Sequence, residues 1–302
     1  MIPNPPDGRA GIDAALVKRL VSAQFPQWSE LPVTPVEVDG WDNRTYRLGD
    51  GMTARLPTAA GYVPAVAKEN DWLPRLAPAL PVAVPRILGR GVPGEGYPYP
   101  WSVRGWLPGE TAASAGIPDM PRFAASVAGF LLALQRCDAT GGPLAGPHSW
   151  YRGASPAHYD EETRDCLSAL EGRVDTARAR AVWEAALRAP WRGAPVWFHG
   201  DVAVGNLLVR SGELTAVIDF GTSGVGDPAC DLVIAWGFFS GAGRAAFREA
   251  VGQDDATWAR ARGWALWKSL LVLSRAVDSD PDLAALNRHV LEEVLADHEE
   301  FG

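Results

Sequence analysis

Apolar positions recur along this chain with two periods, and the change from one to the other divides it. At 16–25 they fall on one face of a short helix. The runs 33–38, 44–48 and 52–56 then read as β-strands, with Gly49-Asp50-Gly51 as a hairpin turn between the last two. A helix is predicted over 63–76 and a further strand over 101–106, WSVRGW, before the Pro108-Gly109 turn. Beyond that point the pattern is mostly helical. Phe123, Val127, Phe130, Leu131 and Leu134 form a stripe across 120–136, and further helices are expected at 157–170, 175–189, 229–239, 244–251, 257–277 and 282–298. Pro281 suits the first turn of the last helix.

One stretch interrupts the helices. Val196-Trp197-Phe198 and Asn206-Leu207-Leu208-Val209 are short apolar runs flanking a polar loop, and a turn at Ser211-Gly212-Glu213 leads into a β-type run over 214–218. The motif residues lie on this frame: Asp201, then Asn206 after a gap of four residues, then Asp219 in a literal Asp219-Phe220-Gly221. This is the spacing of nucleotide-dependent phosphoryl transfer, in which one carboxylate faces the acceptor hydroxyl while an amide and a second carboxylate hold Mg²⁺ against the phosphates. An Asp after Gly is ordinarily a turn residue, and a DFG tripeptide is common by chance. All three in register on strand, turn and strand point to chemistry.

With HGDxxxxN followed by IDFGxxxxGDPxxDL, the chain resembles the aminoglycoside phosphotransferase family, small-molecule relatives of the protein kinases, from about residue 38 to about residue 273. The resemblance implies an α+β, bilobed, protein-kinase-like fold. A small antiparallel-sheet lobe with a helix (1–105) would bind nucleotide, and a larger, mainly helical lobe (106–302) would carry the catalytic loop and the acceptor-binding helices. It implies ATP or GTP as donor, Mg²⁺ on Asn206 and Asp219, and Asp201 as the base that orients a hydroxyl. His199 would brace the catalytic loop, with Asp227 and Asp231 tying the following helix to it. The turn 39–43 would cover the phosphates, with Asn43 or backbone N–H groups meeting phosphate oxygens.

Two features depart from the protein-kinase pattern. The third strand carries Arg55 where a Lys is usual, and its partner on the next helix would be Glu69; Arg is permanently charged and forks between phosphate and carboxylate. Lys68, beside Glu69, is expected to point elsewhere on the helix. Ala203 stands where a catalytic-loop Lys is usual, HGD replaces HRD and no APE segment follows, all of which argue against a protein kinase. The backbone of Ser102, Val103, Arg104 and Gly105 would read the purine edge as a hinge. A GxGxxG at 89–94 is followed by Glu95-Gly96-Tyr97-Pro98-Tyr99-Pro100, which cannot start a helix, so it reads as a hairpin loop and not as a dinucleotide site.

Composition narrows the partners. Nearly all of the net charge of −8 lies in the last 25 residues, with eight acidic side chains and one Arg, and no basic stripe suits nucleic acid. No apolar run approaches the ~20 residues of a membrane span. The start of the chain lacks a signal-peptide pattern, and three scattered cysteines, Cys137, Cys166 and Cys230, suit a reducing cytoplasm. For the acceptor, Asp160 and Glu162, with Glu161 and Asp165, offer carboxylates to an aminoglycoside-type antibiotic, although a solvated helix face explains them equally well. Thirteen Trp, among them Trp264 and Trp267, leave open an aromatic wall for a macrolide or other bulky alcohol. A non-catalytic, pseudokinase-like module that binds nucleotide or ligand is the alternative from a different class.

Overall fold

In a computed structural model of the chain, the described residues are 9, 11–37, 39–40 and 42–302. Val38, at the end of the first expected strand, Trp41, in the expected phosphate-covering turn, and most of the N-terminal start lie outside them. The chain divides into two units: Met1–Gly109 with Ala216–Gly221, and Glu110–Thr215 with Thr222–Gly302. The DFG segment thus belongs to the first unit, although it is far along the chain.

In the first unit helix α1 (Ala14–Gln24) precedes strands β1 (Val33–Pro35), β2 (Asn43–Leu48) and β3 (Met52–Pro57), helix α2 (Val63–Leu76), and strands β4 (Ile87–Gly91) and β5 (Trp101–Gly105). The sheet is antiparallel in the order β1-β2-β3-β5-β4. Its apolar face is closed by Leu16, Val17, Leu20 and Val21 of α1 packing on Tyr46, Leu48, Ala54, Leu56, Trp101 and Val103. Asp13 caps α1 through the Leu16 N–H. Two glycines expected in a loop, Gly89 and Gly91, lie inside β4. A Cβ on Gly91 would come within 2.1 Å of the Trp101 ring, and one on Gly89 within 2.8 Å of Phe25, so close aromatic packing explains them.

The second unit contains β6 (Glu110–Thr111), α3 (Met120–Gln135), α4 (Asp160–Ala169), α5 (Thr176–Arg188), β7 (Val196–Phe198), β8 (Leu207–Arg210), β9 (Glu213–Val217, whose last two residues belong to the first unit), β10 (Gly224–Gly226), α6 (Ile234–Gly237), α7 (Gly241–Val251), α8 (Asp255–Ala276) and α9 (Pro281–Phe301). Strand β7 pairs with β10, and the order of the other small sheet is β6-β8-β9. The helix expected at 229–239 is a 3₁₀ turn, Pro228–Val233, followed by the single turn α6. The core lies around α8, whose Trp258, Leu266, Leu270 and Leu273 are buried on several faces. Among the described residues no helix is long and apolar enough to cross a membrane.

Candidate active site

Strand alternation sets the charged network of the first unit. Arg55 on β3 lies opposite Ser102 on β5, and residues two apart on a strand share a face, so Ser102 and Arg104 point to the same side. Arg104 forks onto Glu69 of α2 through Nη1–Oε1 at 2.9 Å and Nη2–Oε2 at 2.8 Å, and its Nε donates to Ser102 Oγ at 2.9 Å. Both partners of this pair are 3% exposed. Arg55 stands 3.6 Å from Glu69 and donates to Asp219 Oδ1 at 3.0 Å. The expected Arg55–Glu69 pairing is therefore the looser of two, and Arg104 is the principal partner. Burial works against the Glu69 charge, but Arg104 and Arg55 outweigh it and hold the carboxyl below its usual range.

Lys68 does not point away from this network. It is buried, and burial lowers its pKa to about 8 against the pull of Glu69 and Asp219. Asn43 is the first residue of β2 and is buried opposite Pro57. The hinge expectation meets a geometric objection: β5 is paired on one edge with β3 and on the other with β4, while the N–H groups of Gly105 and Trp106 donate to Arg86 and Gly51 carbonyls. The peptide groups of Ser102, Val103 and Arg104 are thus engaged in the sheet, and the side chains of Ser102 and Arg104 serve Glu69. Asp219 has a φ of +66°, a left-handed backbone that holds its half-buried carboxylate at a sharp bend.

In the second unit the loop after β7 is pinned by one buried carboxylate. Asp231 accepts the N–H of His199 on Oδ2 and that of Gly200 on Oδ1, both at 2.7 Å. His199 is buried; its Nδ1 accepts the Asp201 N–H at 3.2 Å and its carbonyl accepts the Thr222 hydroxyl at 3.1 Å. Gly200 has φ +83°, and a Cβ there would stand 2.8 Å from the Thr222 carbonyl oxygen, so glycine is required. Burial raises the Asp231 carboxyl above its usual range, against the pull of His199 and the two N–H donors. Asp227 accepts the Ala229 N–H at the start of the 3₁₀ turn and is forked by Arg260 of α8 at 2.6 and 3.1 Å, a buried pair that the sequence pattern did not signal.

Asn206 Nδ2 donates to the Asp201 carbonyl at 2.9 Å and to its Oδ2 at 3.1 Å. This fixes the two side chains against each other and spends the amide nitrogen, so the carboxamide oxygen is the Asn206 atom that could take a metal. That oxygen and, in the first unit, the Asp219 carboxylate are each the kind of hard donor that Mg²⁺ prefers. Lys268 of α8 places Nζ 3.6 Å from Asp201 Oδ1. A pocket beside Asp201 is lined by Arg152, Cys230, Trp264, Trp267 and Lys268. Burial opposes the Asp201 charge, but Lys268, Arg152, His199 and the Asn206 hydrogen bond outweigh it and keep the carboxyl below its usual range.

The carboxylates expected to meet an acceptor are occupied within the protein. Asp160 accepts from Trp183 Nε1 at 2.7 Å and from Arg164 at 3.0 Å. Glu162 accepts from Trp267 Nε1 at 2.9 Å, while Tyr159 stacks on the same indole at 4.1 Å, so Glu162 orients a wall of the pocket from behind. Arg152, Trp267 and Lys268 come from segments far apart in sequence, and no local motif announces them.

This fold and this loop define a kinase-like phosphotransferase, and comparison with known proteins agrees. A family model described as the phosphotransferase enzyme family matches residues 33–264, and the chain belongs to that family. A curated relative, an aminoglycoside 3'-phosphotransferase of Escherichia coli, is 41% identical over 59 residues, a match spanning 19% of this chain and 22% of that enzyme. Among solved structures, an APH(2") enzyme in complex with GDP and kanamycin superposes with a TM-score of 0.69 at 19% identity, covering 93% of this chain and 98% of that one. A macrolide 2'-phosphotransferase of Brachybacterium faecium superposes with a TM-score of 0.58 at 24% identity, covering 93% and 97%. At these identities the structural likenesses establish the fold.

Proposed function

We propose that the protein transfers the γ-phosphoryl group of ATP or GTP to a hydroxyl of a small molecule, with an aminoglycoside-type antibiotic as the acceptor class. The observation that carries this reading is the Asp201–Asn206 pair, hydrogen-bonded to each other on a loop that Asp231 clamps by two N–H groups. Asp201 orients the acceptor hydroxyl and takes its proton late, as suits a loose transition state. Arg55, steadied by Glu69 and Arg104, meets the nucleotide phosphates, with Asn43 as a further donor. Asn206 and Asp219 would hold Mg²⁺, which when bound neutralises phosphate charge. The curated aminoglycoside enzyme and the nucleotide complexes of proteins with the same fold support this reading. Catalysis is then mainly positioning and charge neutralisation.

A macrolide-type acceptor is the second reading, favoured by the indoles of Trp264 and Trp267 and by the presence of cations, not free carboxylates, beside Asp201. Free thiols at Cys137, Cys166 and Cys230 support a cytoplasmic setting, and neither nucleic acid nor membrane is a proposed partner. The test is nucleoside diphosphate release with ATP and with GTP across aminoglycosides, macrolides and simple amino-alcohols. Asp201→Ala should lose turnover by on the order of 10²–10⁴-fold while nucleotide affinity, measured by calorimetry, is retained. Turnover at the wild-type rate in that variant removes Asp201 as the base.

A further inference from the structure

We infer that Lys268 and Arg152 form a cationic clamp for the phosphoryl group in transit, a role that no sequence motif assigned to either residue. The inference rests on the reading of Asp201 as the base. It starts from a mismatch within the pocket. The loop from Asp201 to Asn206, Asp-Val-Ala-Val-Gly-Asn, contains no cationic side chain. Both cations at Asp201 are brought from elsewhere, Lys268 from α8 and Arg152 from the segment before α4.

Neither cation has a charged ion-pair partner among the described residues other than Asp201. The Arg152 guanidinium makes no hydrogen bond or ion pair with a described residue, although its charge acts on Asp201. Lys268 is 48% exposed and its only ion pair among the described residues is the 3.6 Å approach to Asp201. The neighbours of Lys268 along the helix, Trp264, Trp267 and Ser269, are buried, so the lysine is the charged residue that α8 presents at this point.

Two cations lining one pocket suit an anion, and the anion that the reaction itself must bring to Asp201 is the phosphoryl group. A hydroxyl in hydrogen-bond contact with the carboxylate lies about 2.7 Å from it, and phosphorus in a near-attack arrangement lies about 3–3.5 Å beyond that oxygen. A flexible lysine already 3.6 Å from the carboxylate has the reach to meet the phosphoryl oxygens.

An acceptor oxygen lone pair forms the new P–O bond, the bond from the γ-phosphorus to the β–γ bridging oxygen breaks, and its electrons leave on the nucleoside diphosphate. The acceptor proton passes to Asp201. Lys268 meets the phosphoryl oxygens from one side during the transfer while Arg152 holds them from another.

Calorimetry on the full chain with Mg²⁺ and ADP or GDP, with and without aluminium fluoride as a mimic of the transferring group, tests the clamp. Wild-type protein should bind the fluoride complex more tightly than the diphosphate alone. Lys268→Met should reduce that gain by on the order of 10²-fold, with Lys268→Arg retaining most of it and Arg152→Gln showing a loss of its own. The loss should persist when Lys268→Met is placed in an Asp201→Asn background, since a lysine that merely steadies the carboxylate has no further effect once that charge is gone. Equal weakening of both complexes, or a loss confined to protein with Asp201 intact, overturns the clamp. If wild-type protein gains nothing from fluoride and hydrolyses neither ATP nor GTP, the phosphotransferase reading falls, and the clamp with it. Thermal melts of each variant identify any that fails to fold, and Lys268→Arg then carries the comparison.

Discussion

Glu69 and Asp231 are both buried carboxylates that steady a functional segment, one in each unit, and they are held in opposite ways. Glu69 is met by two guanidinium groups and is kept ionised below its usual range even though burial resists the charge. Asp231 receives two backbone N–H groups at 2.7 Å, and there burial prevails and raises its pKa. The difference follows the work each has to do. Glu69 steadies Arg55, which the proposed function places on the nucleotide phosphates for its charge, so the network is built from charges. Asp231 has only to fix the path of a loop, and for that two peptide dipoles suffice.

The sharpest way to break the comparison is to remove Arg104. Arg104→Met should leave Glu69 buried with only the looser Arg55 contact, at a cost of about 3–5 kcal/mol, read from urea denaturation at neutral pH. A loss below about 1 kcal/mol, within the range of an exposed pair, would mean that Arg55 takes over the carboxylate and that the Arg104 fork is dispensable. Asp231→Asn should cost less, about 1–3 kcal/mol, because an amide has one acceptor oxygen for two N–H donors and one is left unsatisfied. Its larger effect should be on turnover, since the loop carrying Asp201 loses half of its clamp. An Asp231→Asn protein as destabilised as Arg104→Met removes the distinction between charge pair and dipole clamp.

The contrast also shows what the sequence made legible. Most strands, the two helices of the first unit and the Asp201, Asn206 and Asp219 spacing depend on periodicity and short-range order, and were readable; β4, whose Gly89 and Gly91 read as a loop, was not. Partners were not, because they are chosen by packing between distant segments: Arg104 lies 35 residues from Glu69, Arg260 lies 33 from Asp227, and Lys268 reaches Asp201 from a helix late in the chain. Arg55 was the natural partner of Glu69 by analogy, yet both Arg55 and Arg104 face the same carboxylate, and only the geometry ranks them. The segment 229–239 has an apolar pattern that fits a helix. Its first half is instead a 3₁₀ turn, capped by Asp227, from which Asp231 reaches the loop. Glu162 illustrates a different blindness: a run of acidic residues looks like a solvent face or a ligand surface, and nothing local says that one of them carries a tryptophan indole.

The smallest expected effect is the most direct test of the contrast, because the two carboxylates should have opposite pH linkages. The folded pKa of Glu69 is depressed, so its contribution is present above its unfolded value near ~4.3 and is lost as pH falls through the folded value. That of Asp231 is raised, so its contribution is present below its unfolded value near ~3.9 and is lost as pH rises through the folded value. Each proton contributes a slope of at most about 1.4 kcal/mol per pH unit. Glu69→Gln should therefore flatten the loss of stability on the acid side, whereas Asp231→Asn should remove a decline that sets in as pH rises from that region. Urea titrations at intervals between pH 3 and 7, with each variant compared with wild type at the same pH, read both slopes. If the two substitutions change the slope in the same direction, the two carboxylates are held by the same physics and the distinction drawn between them is wrong.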